Sequence, residues 1–383
     1  GEGGSASGIW TLDQAADYES RGLWPIPVLD AELYTWGNNG TGQLGDGTTT
    51  VRSSPVQIGA LTTWLKTASG YSHTLATTTD GKLYAWGTNT PYGQLGQGNT
   101  TNYSSPVQVG ALTTWLQVAG GYSHSLAIKT DGTLWSFGRN FRGALGLGDT
   151  TDRSSPVQVG ALTTWSDTSA GAYFSAATKT DGTLWAWGRG SSGELGQGNT
   201  TDYSSPVQVG ALTTWSKVVC GHAHTLATTT DGKLYAWGYG GLGPLGHGNT
   251  TFLSSPVQVG ALTTWSDIAG GNYHSLAIKT DGTLWTWGYN NAGQLGLGNT
   301  TNYSSPVQVG GLTTWSKITG GRTYSAALKT DGTLWTWGQN IYGELGVGST
   351  TSYSSPVQVG ALTTWRVINK GVTGYVSGGI TKT

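Results

Sequence analysis

Seven copies of one unit, mostly 50 residues apart, fill the chain from residue 31 onward. Trp36-Gly37 recurs as Trp86-Gly87, Phe137-Gly138, Trp187-Gly188, Trp237-Gly238, Trp287-Gly288 and Trp337-Gly338. Ser-Ser-Pro-Val-Gln closes each unit, with prolines at 55, 106, 156, 206, 256, 306 and 356. Leu-Thr-Thr-Trp follows, with tryptophans at 64, 115, 165, 215, 265, 315 and 365. One extra residue between Gly87 and Gly93 stretches a single spacing to 51. A fixed period of this size dictates a modular fold in which each unit buries its faces against its neighbours. Whatever is particular to this chain must then lie where the copies differ.

Within one copy, four β-type runs are predicted: A (115–119), B (124–130), C (133–138) and D (156–159). Asp131-Gly132 joins B to C, and the pair recurs at Asp80, Asp181, Asp231, Asp281 and Asp331. Asp-Gly predicts a two-residue type I′ turn with two positive φ angles. Gly120-Gly121 allows a tight bend between A and B. Pro156 cannot donate to a ladder, so D starts there or forms an outer edge. Runs B and C are apolar or small on both faces, so each sheet must be sandwiched between others. Radially stacked four-stranded blades satisfy this with short edges only. The expected fold is all-β, a seven-bladed β-propeller over residues 31–383, with residues 1–30 as an appendage. The chain enters on runs C and D (from Ala31) and leaves on A and B (366–383), so the two termini are expected to complete one shared blade and close the ring.

Charged residues are 10% of the chain, against roughly 25% in typical soluble domains. Lys and Arg number 19 and Asp and Glu 20, with no basic run, which disfavours nucleic acid as a partner. No run of 18 apolar residues offers a membrane span. Cys220 is the single cysteine, so no intrachain disulfide is possible. The lack of Met and the start at Gly1 fit a processed or partial chain.

The B–C and D–A connections scarcely vary between copies, whereas the A–B and C–D connections vary widely. In an up-and-down blade these two pairs emerge on opposite faces, so one face should be uniform and the other diverse. The diverse loops carry Tyr92, Phe141, Arg142, Tyr173, His222, Tyr239, Leu242, Tyr273, Tyr289, Arg322 and Tyr342, with Asn interspersed. Aromatics and Arg make recognition surfaces at low entropic cost. These residues are expected to bind a partner; the competing reading is drift at unconstrained positions. A further variable track, Thr-x-x-Ser-Ser, is expected on the outer rim before strand D, where Phe252-Leu253 either packs locally or meets a neighbouring protein.

Catalytic signals are missing. Asp131 and its counterparts are turn residues, and Glu194 and Glu344 are isolated variants of Gln94 and Gln294. No nucleophile–base arrangement or phosphate-cradling loop stands out, so no enzyme and no cofactor is expected. Cys220, His222 and His224 would alternate onto one side of a strand, with His247 in the same blade, and soft and imidazole ligands suit zinc. His224 repeats as His73, His124 and His274 without such partners, which marks it as structural, so no metal site is expected. Strand tryptophans such as Trp86, Trp187, Trp237, Trp287 and Trp337 are core before they are sugar-stacking platforms, because each buries about 150–250 Å².

The segment Gly270 to Gly298, with Asp281-Gly282-Thr-Leu-Trp-Thr-Trp287-Gly288 and Gly293-Gln-Leu-Gly296-Leu-Gly298, resembles the repeat of the regulator of chromosome condensation family. The resemblance covers about 350 residues and implies a seven-bladed propeller without fixing one function: such propellers include nucleotide-exchange factors, ubiquitin-ligase modules and a secreted bacterial inhibitor. Residues 5–25, with Trp10 and Trp24 and a helix expected over 13–21, resemble a segment of marine tailed-phage structural proteins. They are read as a docking element for another virion protein, or else as a plug on the propeller rim. The resulting expectation is a non-enzymatic binding module on a phage tail or fibre, held by residues 1–30 and contacting a host surface glycan or protein. The alternative is a secreted or surface bacterial propeller that binds or inhibits another protein.

Overall fold

The computed structural model describes residues 30–371 and 374–382, so the appendage helix, Trp10 and Trp24 lie outside the described residues. Each repeat forms a four-stranded antiparallel sheet. In one blade strand A is Trp115–Gly120, B is His124–Lys129, C is Leu134–Gly138 and D is Arg153–Gln158, with neighbours in that order. The A strands are innermost and touch one another in sequence around the ring. D is outermost and begins three residues before Pro156, which sits mid-strand where the missing N–H faces outward.

The termini share a blade as the sequence demands. Trp365–Ile368 and Val376–Thr381 supply A and B, while Leu33–Gly37 and Arg52–Gln57 supply C and D. Leu33 to Gly37 pair residue by residue with Ile380 to Val376. Lys370 and Gly371 then cross to the next blade and pair in parallel with Ala68 and Ser69.

The B–C turn differs from expectation. Only the glycine takes positive φ (+75° at Gly132); the aspartate does not. Gly132 N donates to Lys129 O, and Lys129 N to Thr133 O, closing a three-residue loop rather than a type I′ turn. The same loop forms where Lys82 and Lys233 stand in place of Thr133, with Asp80 and Asp231 accepting from the Thr78 and Thr229 hydroxyls; in this blade the Asp131 carboxylate accepts from both the Thr133 amide (3.0 Å) and its hydroxyl (2.7 Å). That Asx-type contact holds Asp131 at negative φ.

The Gln-Leu-Gly motif is an inter-blade clasp. The carbonyl of Glu194 accepts the indole N–H of Trp237 (3.0 Å) and the hydroxyl of Thr225 (2.8 Å), both from the next blade. Trp36, Trp86, Trp187, Trp287 and Trp337 make the same bond to Glu344, Gln43, Ala144, Pro244 and Gln294. Phe137 cannot, and Gln94 O keeps only the Ser125 hydroxyl. The glycine of the motif must lack a side chain: a Cβ on Gly146 would lie 2.7 Å from the Trp187 indole nitrogen. All these tryptophans are fully buried.

The repeated histidine is a second clasp. His73, His124, His224 and His274 are buried and reach Ser125, Ser175, Ser275 and Ser325 of the following blade at 2.9–3.1 Å. Each serine hydroxyl already donates its one proton to a main-chain carbonyl, for example Ser125 to Gln94 O. The imidazole Nε2–H must therefore be the donor, and burial keeps each ring neutral at pH 7 with its proton there. Burial pushes these groups down, His73 and His224 to about 3 and His124 and His274 to about 4.

Candidate binding face

The A–B and C–D loops do emerge together. Thr88 N donates to Ser72 O and Arg139 N to Ser123 O, tying each C–D loop to the A–B loop of its own blade. The B–C turn meets the D–A loop at the opposite face, where Thr130 N donates to Thr114 O. Adjacent A–B loops are also joined, as by Tyr71 N to Gly121 O and Tyr122 N to Ala172 O.

Asparagines at the start of the C–D loops are scaffold, not recognition surface. Asn140 is fully buried; its side-chain oxygen accepts from Leu145 N and its amide donates to Asp149. Asn39, Asn290 and Asn340 do likewise. The Thr-x-x track belongs to this same face: Asp152 and Asp202 cap the amides of Asn140 and Gly190. Phe252, expected on the outer rim, instead lies 4.8 Å from Tyr239, half exposed at 51%, while Leu253 turns into the core.

On that scaffold aromatic rings form a continuous arc. Tyr342 meets Tyr375 edge-on (5.2 Å), Tyr375 meets Tyr71 (6.4 Å), and Tyr71 stacks on Tyr122 (4.3 Å). Tyr122 then meets Tyr173 (5.5 Å), and Tyr173 meets Phe141 (5.2 Å). A second group joins His222, Tyr273, Tyr239 and Phe252. Arginines lie across the rings. Arg139 covers Tyr92 (4.5 Å) and Phe141 (4.8 Å), and Arg322 covers Tyr375 (4.8 Å) while donating to the Tyr71 hydroxyl (3.1 Å). Arg142, with φ +60°, is paired with Asp202, and Arg189 with buried Glu194. Among the described residues, Arg139 and Arg322 have no carboxylate partner. Burial, aided by the Arg189 and Arg322 charges, lowers His222 to about 4 and keeps it neutral; burial raises the phenols of Tyr122, Tyr273 and Tyr375.

Residues 116–382 match the RCC1-like domain model, and residues 30–77 and 80–128 match the regulator of chromosome condensation (RCC1) repeat. The chain belongs to the RCC1-like family. The ultraviolet-B receptor UVR8 of Arabidopsis thaliana is 38% identical over 115 residues, 29% of this chain and 26% of the receptor. The matched stretch thus spans about a quarter of that relative. Human WBSCR16 superposes with a TM-score of 0.83 at 22% identity, covering 92% of this chain and 99% of that one. Prp20p of Saccharomyces cerevisiae, described with its binding properties to Gsp1p and histones, gives 0.84 at 20% identity, covering 96% and 94%. At such identities these two likenesses establish the propeller fold and nothing finer.

Of the residues expected to bind on this RCC1-like propeller, Tyr92, Phe141, Arg142, Tyr173, His222, Tyr239, Tyr273, Arg322 and Tyr342 lie within or against these aromatic groups. Tyr289 and Leu242 stand half-buried on the same face, and Tyr289 makes no ring contact with a described aromatic. Sequence reasoning missed Tyr375, the A–B residue of the shared blade, because that last copy has lost the Gly-Gly signal. It also left Arg139, Arg189 and the exposed Ile341 out of the set. Cys220, His222 and His224 do not share a strand. Cys220 ends strand A, His222 is in the loop and His224 opens strand B. The Cys220 thiol is buried against Ser169 O and pushed up to about 12, and His247 approaches Ala236 O. No three His, Cys, Asp or Glu side chains among the described residues converge on a metal site.

Proposed function

We propose that this propeller is a non-enzymatic binding module that captures a macromolecular partner on its A–B/C–D face. The supporting observation is the aromatic arc from Tyr342 to Phe141, capped by Arg139 and Arg322, which have no carboxylate partner among the described residues. Stacked tyrosines present rigid amphipathic area, and an unpaired guanidinium favours a carboxylate-bearing partner. A protein with acidic side chains fits this chemistry better than a neutral surface. Prp20p, which has binding properties toward Gsp1p and histones, supports protein capture as a use of this fold.

Within this reading, the finer role is a virion tail or fibre protein that contacts a host surface glycan or protein and is seated on other virion proteins by residues 1–30. It rests on the sequence of residues 5–25 and the aromatic arc, and a virion location follows from it. Labelled protein should adhere to intact host cells, and the Phe141→Ala, Arg142→Ala, Tyr239→Ala, Tyr342→Ala combination should abolish adhesion while Tm stays within about 5 °C. A folded variant that adheres unchanged would overturn the assignment of this face. Co-purification with intact particles separates the virion role from a free secreted one.

A further inference from the structure

The seven inner strands enclose a channel, and its charge does not match the rest of the molecule. The third residue of each A strand occupies one register level: Lys66 opposite Thr77, Gln117 opposite Ile128, Asp167 opposite Thr178, Lys217 opposite Thr228, Asp267 opposite Ile278, Lys317 opposite Leu328 and Val367 opposite Ile380. The level is continuous across blades, since the Lys217 ammonium reaches the Asp267 carboxylate of the next blade. Lys370 joins this group on the segment that pairs with Ala68, and Arg366 adjoins Val367 and acts on Lys317. Five cations therefore meet two carboxylates in a chain whose net charge is −1. One carboxylate, Asp267, is already taken by Lys217.

The fold does not need these charges. Gln117 and Val367 hold the same register position in two blades without any charge. Nothing apolar is gained by lining a narrow wall with ammonium groups, and mutual repulsion makes such a cluster costly unless an anion offsets it. Lys66, Lys317 and Lys370 form no ion pair among the described residues, yet each lies within electrostatic reach of the others.

We propose that the channel is an anion site, taking a compact polyvalent oxyanion of the phosphate class between Lys66, Lys317 and Lys370, with Arg366 beside them. This site is separate from the aromatic face and does not rest on the function proposed for it. Burial, with Lys370 and Lys317 adding to it, lowers the Lys66 amine to about 8. Asp167, Lys217 and Asp267 are the other titratable groups of the level; against its burial, the Asp267 and Asp167 carboxylates hold the Lys217 amine above its ordinary value, so it stays charged between pH 7 and 9. Affinity should consequently fall as pH rises from 7 to 9.

The test is calorimetric titration of the full chain with sodium pyrophosphate in low-salt buffer, with sodium chloride at matched ionic strength as the reference. Saturable binding is expected, weakened roughly tenfold by Lys66→Gln and again by Lys317→Gln. Lys82→Gln, which alters an exposed lysine paired with Asp80, should leave it unchanged. Asp167→Asn, which keeps every lysine, should tighten it. Should Lys66→Gln fail to fold, Asp167→Asn and the pH series decide alone. Heat no greater than that with chloride, occupancy by an acidic peptide but not by pyrophosphate, or affinity indifferent to Lys317→Gln and Asp167→Asn would each overturn the proposal.

Discussion

Replacing Trp237 by Phe tests the inter-blade clasp in isolation, because one blade already carries that change naturally at Phe137. The indole N–H bond to Glu194 O is lost, at a cost of about 1 kcal/mol. The carbonyl is not orphaned, since the Thr225 hydroxyl still donates to it at 2.8 Å. The smaller ring leaves a void of roughly 40 Å³ between fully buried neighbours, worth about another 1 kcal/mol at ~24 cal/mol per Å³. The total is about 2 kcal/mol, or a fall in Tm of about 2–3 °C for a chain of this size. The reverse change, Phe137→Trp, should raise Tm by about 1–2 °C, because Gln94 O has a free lone pair where the indole would point. Scanning calorimetry at neutral pH reads both. If Trp237→Phe is neutral, or both substitutions destabilise alike, the clasp is not what fixes neighbouring blades.

Three other outcomes follow from the same geometry. Glu344 is fully buried with one carboxylate oxygen unpaired, and burial lifts it to about 7. The folded state then holds more protons than the unfolded one between pH 4.5 and 7, so Glu344→Gln should stabilise by roughly 2–3 kcal/mol at pH 8 and negligibly below pH 4.5; a pH-independent difference in urea midpoint would contradict this. The four clasp histidines titrate at about 3–4 when folded and near 6.5 when unfolded, so the unfolded chain binds more protons between those values. Stability should drop as pH falls from 6.5 towards 4, by up to ~1.4 kcal/mol per pH unit for each ring; a flat profile, or a slope unaltered in His224→Gln, would count against neutral buried rings. Deleting residues 366–383 removes strand B and nearly all of strand A from the shared blade and bares the edge of Leu33–Gly37; aggregation is expected on size-exclusion chromatography, and a soluble monomer of unchanged Tm would refute ring closure.

Architecture was legible because the period is a direct imprint of stacking: the clasp glycine recurs in every blade, the tryptophan in all but the Phe137 blade and the histidine in four, each at a position that touches the next blade. The closure of the ring was legible from half-units at the two ends. Turn geometry was not, because Asp-Gly alone is compatible with both loop types, and the aspartate's contacts, to Thr133 in one blade and to Thr78 in another, exist only once the loop is closed. Variation between copies located the face but not its chemistry. Asn140 and Phe141 look equally available in the sequence, yet one is buried scaffold and the other surface. Tyr375 was hidden because the last copy departs from the repeat. The channel charges were overlooked because Lys66, Asp167 and Lys317 read as ordinary polar positions of an edge strand until seven such strands face one another.

The central claim is that the diverse face, and not the uniform one, receives the partner. Hydroxyl-radical footprinting of the bound protein tests it directly, because both faces carry reactive side chains. Protection is expected at Tyr71, Tyr122, Phe141, Tyr173 and Tyr342, with no change at the exposed Leu112, Leu162, Leu212, Leu262 and Leu312 of the D–A loops. Protection of those leucines with the tyrosines still reactive would contradict it.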